Sequence, residues 1–337
     1  MRQRLLPAAL LLPLALLLTA CGGDSSADTG GDVDGKGSVT LNVGDQKGGS
    51  EAILRAAGEL KNLDYKIKWS TFTSGPPLLE AVNAKAVDIG GVGNTPPVVA
   101  AGSDSKISVV AAWHGTSKSD AILVPNSSKL TAPNQLKGRS VAVAQGSSAH
   151  FQLVASLQAA GLSLDDVKVK YLQPADALAA FTSGKVDAWA VWDPYTSQVL
   201  QAKQGRVLTT GEGITNGLTF QVAAPSALAD PKKAAAVKDY LTRLRRAQDW
   251  VHGHQEEWAR EWAKDTGLPY ETALGAVRRS VSTRVAVAVD KPLIASEQQL
   301  ADTFTNLQLI PKKVRFADFV DDRFNGDLPP STTAPKN

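Results

Sequence analysis

Two stretches ninety-nine residues apart constrain this 337-residue chain more than any other feature: "LLEAVNAKAVDIGGVGNTPP" from Leu78 and "ALAAFTSGKVDAWAVWDPY" from Ala177. Each runs from a helix-spaced apolar segment through Val-Asp into a short apolar run, then into a polar or aromatic corner. The offset places Val87-Asp88 on Val186-Asp187, Asn94 on Asp193 and Thr95 on Pro194. A second pair of Gly/Ser/Gln loops, residues 44–50 and 145–148, falls in the same order. Two ordered matches imply two lobes of like topology, with equivalent loops at the carboxyl ends of their strands.

The pattern around these anchors alternates. Period-two apolar runs at residues 38–43, 66–70, 87–92 and 107–113 read as strands. Helix signals at 50–60, from Pro76-Pro77 to 82, and from Pro96 separate them. After Leu123-Val124-Pro125 the alternation restarts. Strands are expected at 141–144, 167–171 and 188–191, and helices at 149–160, 174–181 and from Pro194. Such order implies mostly parallel sheets flanked by helices. A strand near Gln221 returns the chain to the first lobe. Helices then dominate, at 232–251, 255–264, 270–281 and 296–307. The division expected is lobe 1 at residues 38–125 plus 221–325, lobe 2 at 126–220, and a disordered Pro/Thr-rich tail at 326–337.

The first twenty residues are a leader: Arg2 and Arg4, an apolar run over residues 5–18, and Leu18-Thr19-Ala20-Cys21 at its end. This sequence resembles a bacterial lipobox, which makes Cys21 the lipidation site once residues 1–20 are removed. Residues 21–37, rich in Gly, Ser and Asp, read as a flexible tether. The expected location is therefore the outer face of the cell membrane, with the chain secreted and lipid-anchored. Met1 is the only methionine and Cys21 the only cysteine, so the processed chain carries one sulfur atom. Besides biased composition, that scarcity suggests a protein made when sulfur is short.

The chain shows few tools for chemistry. Its four histidines form no HExxH or His-rich cluster, and no CxxC, GxSxG, GxGxxG or P-loop pattern is present. No metal site, cofactor or catalytic group is expected. A net charge of +3 gives no reason to expect nucleic acid. Binding fits the pattern better. Ligands of parallel sheets sit beyond the carboxyl ends of strands. There the first lobe offers Gln46, Lys47, Ser74, Gly75, Asn94 and Thr95. The second offers Gly146, Ser147, Ser148, Trp192 and Asp193. Helix N-termini converging on such loops form an anion site, and Trp192 presents a flat apolar wall. Taken singly, Ser50, Ser74, Thr95, Ser148 and Asp193 also fit as helix caps.

These residues resemble the solute-binding subunits of ABC importers in the aliphatic sulfonate, nitrate and taurine group. The matching stretches are "GDQKGG" at Gly44, "FTSGPPLLEAVNAKAVDIGGVGNTPP" at Phe72, "AILVPNSS" at Ala121, "LKGRSVAVAQGSSAHFQLVASLQAAGL" at Leu136 and "YLQPADALAAFTSGKVDAWAVWDPY" at Tyr171. They cover residues 38–225 densely, and the set is typical of the sulfonate branch. The resemblance implies a two-lobe type II periplasmic binding protein fold that closes on its ligand. It also implies a membrane permease as partner and a monomeric receptor for a small organic anion. Two departures stand out. Asp45 replaces an aromatic residue common before the Gln of the first loop, and Asn94 stands where Asp is common. Taurine, nitrate or a carboxylate suit the same donors. A pyrimidine binder or enzyme on the same scaffold is a second alternative, since relatives of this fold make or process thiamine-precursor pyrimidines. That reading requires His114 or His150 inside the cleft. A sensor for a membrane kinase is a third possibility.

Overall fold

The computed structural model describes residues 32–33, 35–279, 283–326 and 328–331. The leader and Cys21 lie outside them. The chain opens with β1 (Thr40–Gln46), α1 (Ser50–Ala56), β2 (Lys66–Phe72), α2 (Gly75–Asn83), β3 (Ile89–Gly93), α3 (Thr95–Gly102) and β4 (Ser108–His114). It then crosses to β5 (Ala121–Pro125), β6 (Ser140–Val143), α4 (Ser148–Ala159), β7 (Lys168–Tyr171), α5 (Pro174–Thr182), β8 (Ala188–Val191), α6 (Tyr195–Gln201) and β9 (Gly205–Thr210). A second crossing leads to β10 (Leu218–Ala223), α7 (Pro225–Ala229), α8 (Pro231–Val251), α9 (Gln255–Thr266), α10 (Tyr270–Arg279), β11 (Val285–Val287) and α11 (Lys291–Asn306).

The two lobes share one topology. The first sheet runs β2-β1-β3-β10-β4-β11 and the second β7-β6-β8-β5-β9. In each, three parallel strands are followed by one antiparallel strand delivered by a crossing, β10 in the first and β5 in the second. The repeated Val-Asp pair has one role in both lobes. Asp88 accepts hydrogen bonds from the Asn42 backbone (2.9 Å) and side-chain amide (3.0 Å), and Asp187 from the Ser140 backbone (2.8 Å) and hydroxyl (2.6 Å). Each aspartate ties its own strand to the start of the neighbouring parallel strand.

The cores follow from the alternation. Leu41 and Val43 on β1 face a cluster built with α1, α8, α9 and α10, while Leu78, Leu79 and Val82 of α2 join α3 and α11 on the other face. In the second lobe, Ala149, Leu153 and Leu157 of α4 pack one face, and Ala177 and Phe181 of α5 the other.

Several boundaries differ from expectation. Residues 121–125 belong to the second sheet, not to the first lobe, because β5 pairs antiparallel with β8 and β9. Residues 218–220 already lie in the first sheet as part of β10. The first crossing therefore spans residues 115–120 and the second 211–217. Val33, expected in the tether, exchanges backbone hydrogen bonds with Ile67. Pro329 and Ser331, expected in the tail, accept from Ala288 N–H and pair with Asp290. Helix α1 stops at Ala56 rather than residue 60, where Gly58 turns left-handed with φ +73°. Helix α11 starts five residues earlier than expected, capped by Asp290 ahead of Pro292.

Candidate functional site

A cavity opens between the lobes, with about 1390 Å³ of empty space including its mouth. Gln46, Lys47, Gly75, Asn94, Ser147, Ser148, Trp192 and Asp193 all line it. Ser74, Thr95 and Gly146 sit behind the lining. Ser74 is fully buried and donates its hydroxyl to Gln173 Oε1 across the lobes (3.0 Å). Thr73 donates to the same oxygen (3.1 Å). Ser74 and Gln173 are themselves ninety-nine residues apart, so equivalent helix starts of the two lobes meet at the cleft. Thr95 donates to Asn94 Oδ1 (2.9 Å), and the Gly146 N–H to His150 Nδ1 (3.2 Å).

Helix starts supply fewer free donors than their number implies. Asp45 turns into the start of α1 and accepts from the N–H groups of Gln46 (2.8 Å), Ser50 (2.9 Å) and Glu51 (2.7 Å). This departure from the expected aromatic residue thus blocks that anion position with the chain's own carboxylate. Asp193 Oδ1 accepts from Ser197 N–H (2.9 Å) and hydroxyl (2.6 Å) at α6. Ser147 caps α4 by accepting from the His150 N–H (3.3 Å). At α2 and α3, paired prolines remove the N–H groups that would follow.

The charge the cavity holds comes instead from side chains that sequence patterning did not single out. Arg284, just before β11, lines it and faces Asp120 and Asp193. Burial pulls the guanidinium below its ordinary range, and the two carboxylates oppose that. Asp120, on the first crossing, accepts from the Ser148 hydroxyl (3.2 Å). Burial pushes its carboxyl up to about 7. Burial likewise raises Asp193 to about 6, although Ser197, Arg279 and Arg284 all pull it down. Arg279 Nε lies 3.4 Å from Asp193 Oδ2. The apolar wall is Trp192 on one side and Trp113, Trp258 and Trp262 on the other. Trp258 and Trp262 stack at 5.5 Å along α9, and the three indole N–H groups of that far wall have no partner among the described residues. None of the four histidines lines the cavity. His114 ends β4, and His150 is buried, its pKa lowered to about 4, against Tyr171 and Phe304. The pyrimidine-enzyme reading thereby loses the groups it required.

The sequence matches the NMT1-like family over residues 39–266. The chain belongs to that family. Among curated relatives, the putative aliphatic sulfonates-binding protein of Escherichia coli (strain K12) is 35% identical over 278 residues, 81% of this chain and 86% of the relative. Among solved structures, the alkanesulfonate-binding protein SsuA from Xanthomonas axonopodis pv. citri bound to MOPS superposes with a TM-score of 0.78 at 32% identity. That match covers 85% of this chain and 99% of the other. The periplasmic aliphatic sulphonate binding protein SsuA from Escherichia coli gives 0.73 at 33% identity, covering 83% and 97%. Both the resemblance and the two-lobe fold expected from the sequence are thus found. Lobe for lobe, the NMT1-like match spans both crossings and most of the cavity wall. Arg284 lies outside the matched range. No sequence pattern marks it, because it reaches the cleft through the pairing of β11 with β4.

Proposed function

We propose that this protein is the extracytoplasmic receptor of an ABC importer for aliphatic sulfonates, held to the outer face of the membrane through Cys21 as a monomer and docking on a permease. The observation that carries the reading is the cavity wall. Arg284, Lys47 and Ser148 supply cations and a hydroxyl at the same cleft where Trp192 and Trp113 supply apolar surface. A sulfonate is ionised at any physiological pH, offers three acceptor oxygens and carries an apolar tail. It matches both halves of that wall. The named sulfonate-binding relatives support the same assignment. Asp120 and Asp193 on the wall favour a second reading, a sulfonate with an ammonium end such as taurine.

The test is calorimetric titration of residues 22–337 with pentanesulfonate, taurine, nitrate, sulfate and a hydroxymethyl pyrimidine. Tight 1:1 binding of pentanesulfonate alone is expected. Binding of taurine alone selects the second reading, and binding only of nitrate or pyrimidine overturns both. For the anchor, Cys21→Ala should release the protein from the membrane fraction. Unchanged membrane retention removes that part of the proposal.

A further inference from the structure

We propose that Glu297 is a positioning residue for ligand capture, acting through Asn216 on the amide of Asn94. This rests on the cavity being the ligand site. Glu297 belongs to α11, on a stripe whose neighbours Leu293, Leu300, Ala301 and Phe304 are buried apolar side chains. It is itself 0% exposed. One carboxyl oxygen accepts from Asn216 Nδ2 (2.7 Å), and the other has no partner among the described residues.

Asn216 sits in the second crossing between Thr215 and Gly217, both on the cavity wall. Its amide is used on every side. Nδ2 also donates to Ser296 Oγ (3.1 Å), while Oδ1 accepts from Asn94 Nδ2 (2.8 Å) and Leu218 N–H (3.3 Å). Asn94, 3% exposed on the cavity wall, accepts the Thr95 hydroxyl on its own Oδ1. An amide presents donors at one end and an acceptor at the other. With an acceptor at α11 and a donor at Asn94, one orientation of Asn216 satisfies both ends. That orientation commits one hydrogen of Asn94 Nδ2 and leaves the second for a cavity ligand. The Leu218 N–H fixes the acceptor end of Asn216 and Glu297 accepts from its donor end, so Glu297 helps to hold, two hydrogen bonds away, a wall residue in place.

Charge makes the arrangement testable. Burial pushes the Glu297 carboxyl up to about 8, with the Asn216 hydrogen bond opposing it. Charged groups on the packed elements offer little compensation. Helix α3 carries no titratable side chain. The turn Phe316–Phe319 has Asp318, exposed and paired with Arg315. The second crossing has Glu212, exposed and paired with Lys118. Helix α4 brings His150, held against Phe304. Glu297 is thus mostly neutral at pH 7. Its ionisation above about 8 puts an uncompensated negative charge behind Asn94 and opposes an anion in the cavity.

The experiment titrates residues 22–337 with pentanesulfonate at pH 7 and pH 9, as wild type, Glu297→Gln, Glu297→Ala, Asn94→Ala and the double alanine variant. At pH 7, Glu297→Gln should bind within about twofold of wild type and Glu297→Ala about fivefold or more weakly, the loss of one net hydrogen bond. Between pH 7 and 9, Glu297→Gln should lose less affinity than wild type. Asp45, Asp120 and Asp193 titrate alike in both chains, so the difference isolates Glu297. In the double variant, the second alanine should add little to the first. Unchanged affinity in Glu297→Ala, multiplicative losses in the double variant, or parallel pH profiles for wild type and Glu297→Gln each overturn the proposal. If Glu297→Ala does not fold, the Glu297→Gln profile alone decides. If wild type binds taurine or nitrate but not pentanesulfonate, the substrate reading fails, and the same comparison with that anion judges Glu297.

Discussion

At the scale of a single residue, Asp120 is one of three wall carboxyls, with Asp45 and Asp193, that burial raises into the neutral range. Its carboxyl is raised to about 7 chiefly by burial, with Ser148 and Arg284 lowering it and Asp193 raising it. A sulfonate keeps its charge across this range, so only the wall titrates. Below about 7 the carboxyl is neutral and the anion meets Arg284 with less competition. Above it, the carboxylate both repels the anion and neutralises the guanidinium. Affinity should therefore fall about three- to tenfold from pH 6 to pH 8, the scale of up to one pKa unit of coupling. Asp120→Asn should reduce this fall, leaving the part due to Asp45 and Asp193, and bind more tightly than wild type at pH 8. Calorimetric dissociation constants at pH 6, 7 and 8 check this, and parallel profiles for the two chains would remove Asp120 from the site.

Secondary-structure elements divide labour between adjacent residues, and α4 shows it. Ser147 is the cap: its oxygen accepts the His150 N–H and its hydroxyl donates to the Ala144 carbonyl (2.7 Å). Ser148, one residue further, points its hydroxyl at Asp120 on the cavity wall. Ser147→Ala should cost about 1 kcal/mol of stability, the usual cost of losing a cap. Ser148→Ala removes a hydrogen bond to buried Asp120 and should cost up to about 1 kcal/mol while weakening sulfonate binding several-fold, which Ser147→Ala should not. Denaturant midpoints and titrations on both variants separate the two roles. A loss of stability from Ser148→Ala with unchanged affinity would reverse the assignment. The sequence showed both serines at a helix start, where either reads as cap or as ligand donor. The choice depends on a carboxyl twenty-eight residues away. The same limit hid β9 and β11, which lack a clean alternation and become strands only by pairing with β5 and β4.

Across the whole molecule, closure is written in contacts between lobes. Ser74 and Thr73 meet Gln173, while Arg279 of α10 meets Asp193, whose side chain is almost fully buried. Helix α10 also lies against α6, with Gly275 facing Ser197. The two crossings are held together by Gly115 N–H to the Gly217 carbonyl (3.1 Å) and by the Ser117 hydroxyl to the Thr215 carbonyl (3.2 Å). These bonds pair the two segments that join the lobes. Contacts made only when the lobes are together act chiefly on ligand escape. Arg279→Ala should speed dissociation several-fold and change association little, as read by stopped-flow on residues 22–337. An equal change in both rates would assign Arg279 to the binding wall instead.

What the sequence determined by itself was local and repeated. Period-two and helix-spaced apolar residues specify the strands and helices of both lobes. The ninety-nine-residue correspondence specifies that the lobes share one topology, as their strand orders show. It also singled out Asn94 and Asp193, and both line the cavity. Tertiary structure alone decided which lobe owns β5, because a single apolar strand pairs equally well with either sheet until its neighbours are present. It decided that Asp45, on the cavity wall, accepts from the N–H groups that open α1. It also brought Arg284 and Asp120 to the cleft from segments with no pattern of their own, and set Glu297 of α11 behind Asn216. Buried charge is specified by partners distant in the chain, since its cost is set by the dielectric and the neighbours that folding creates.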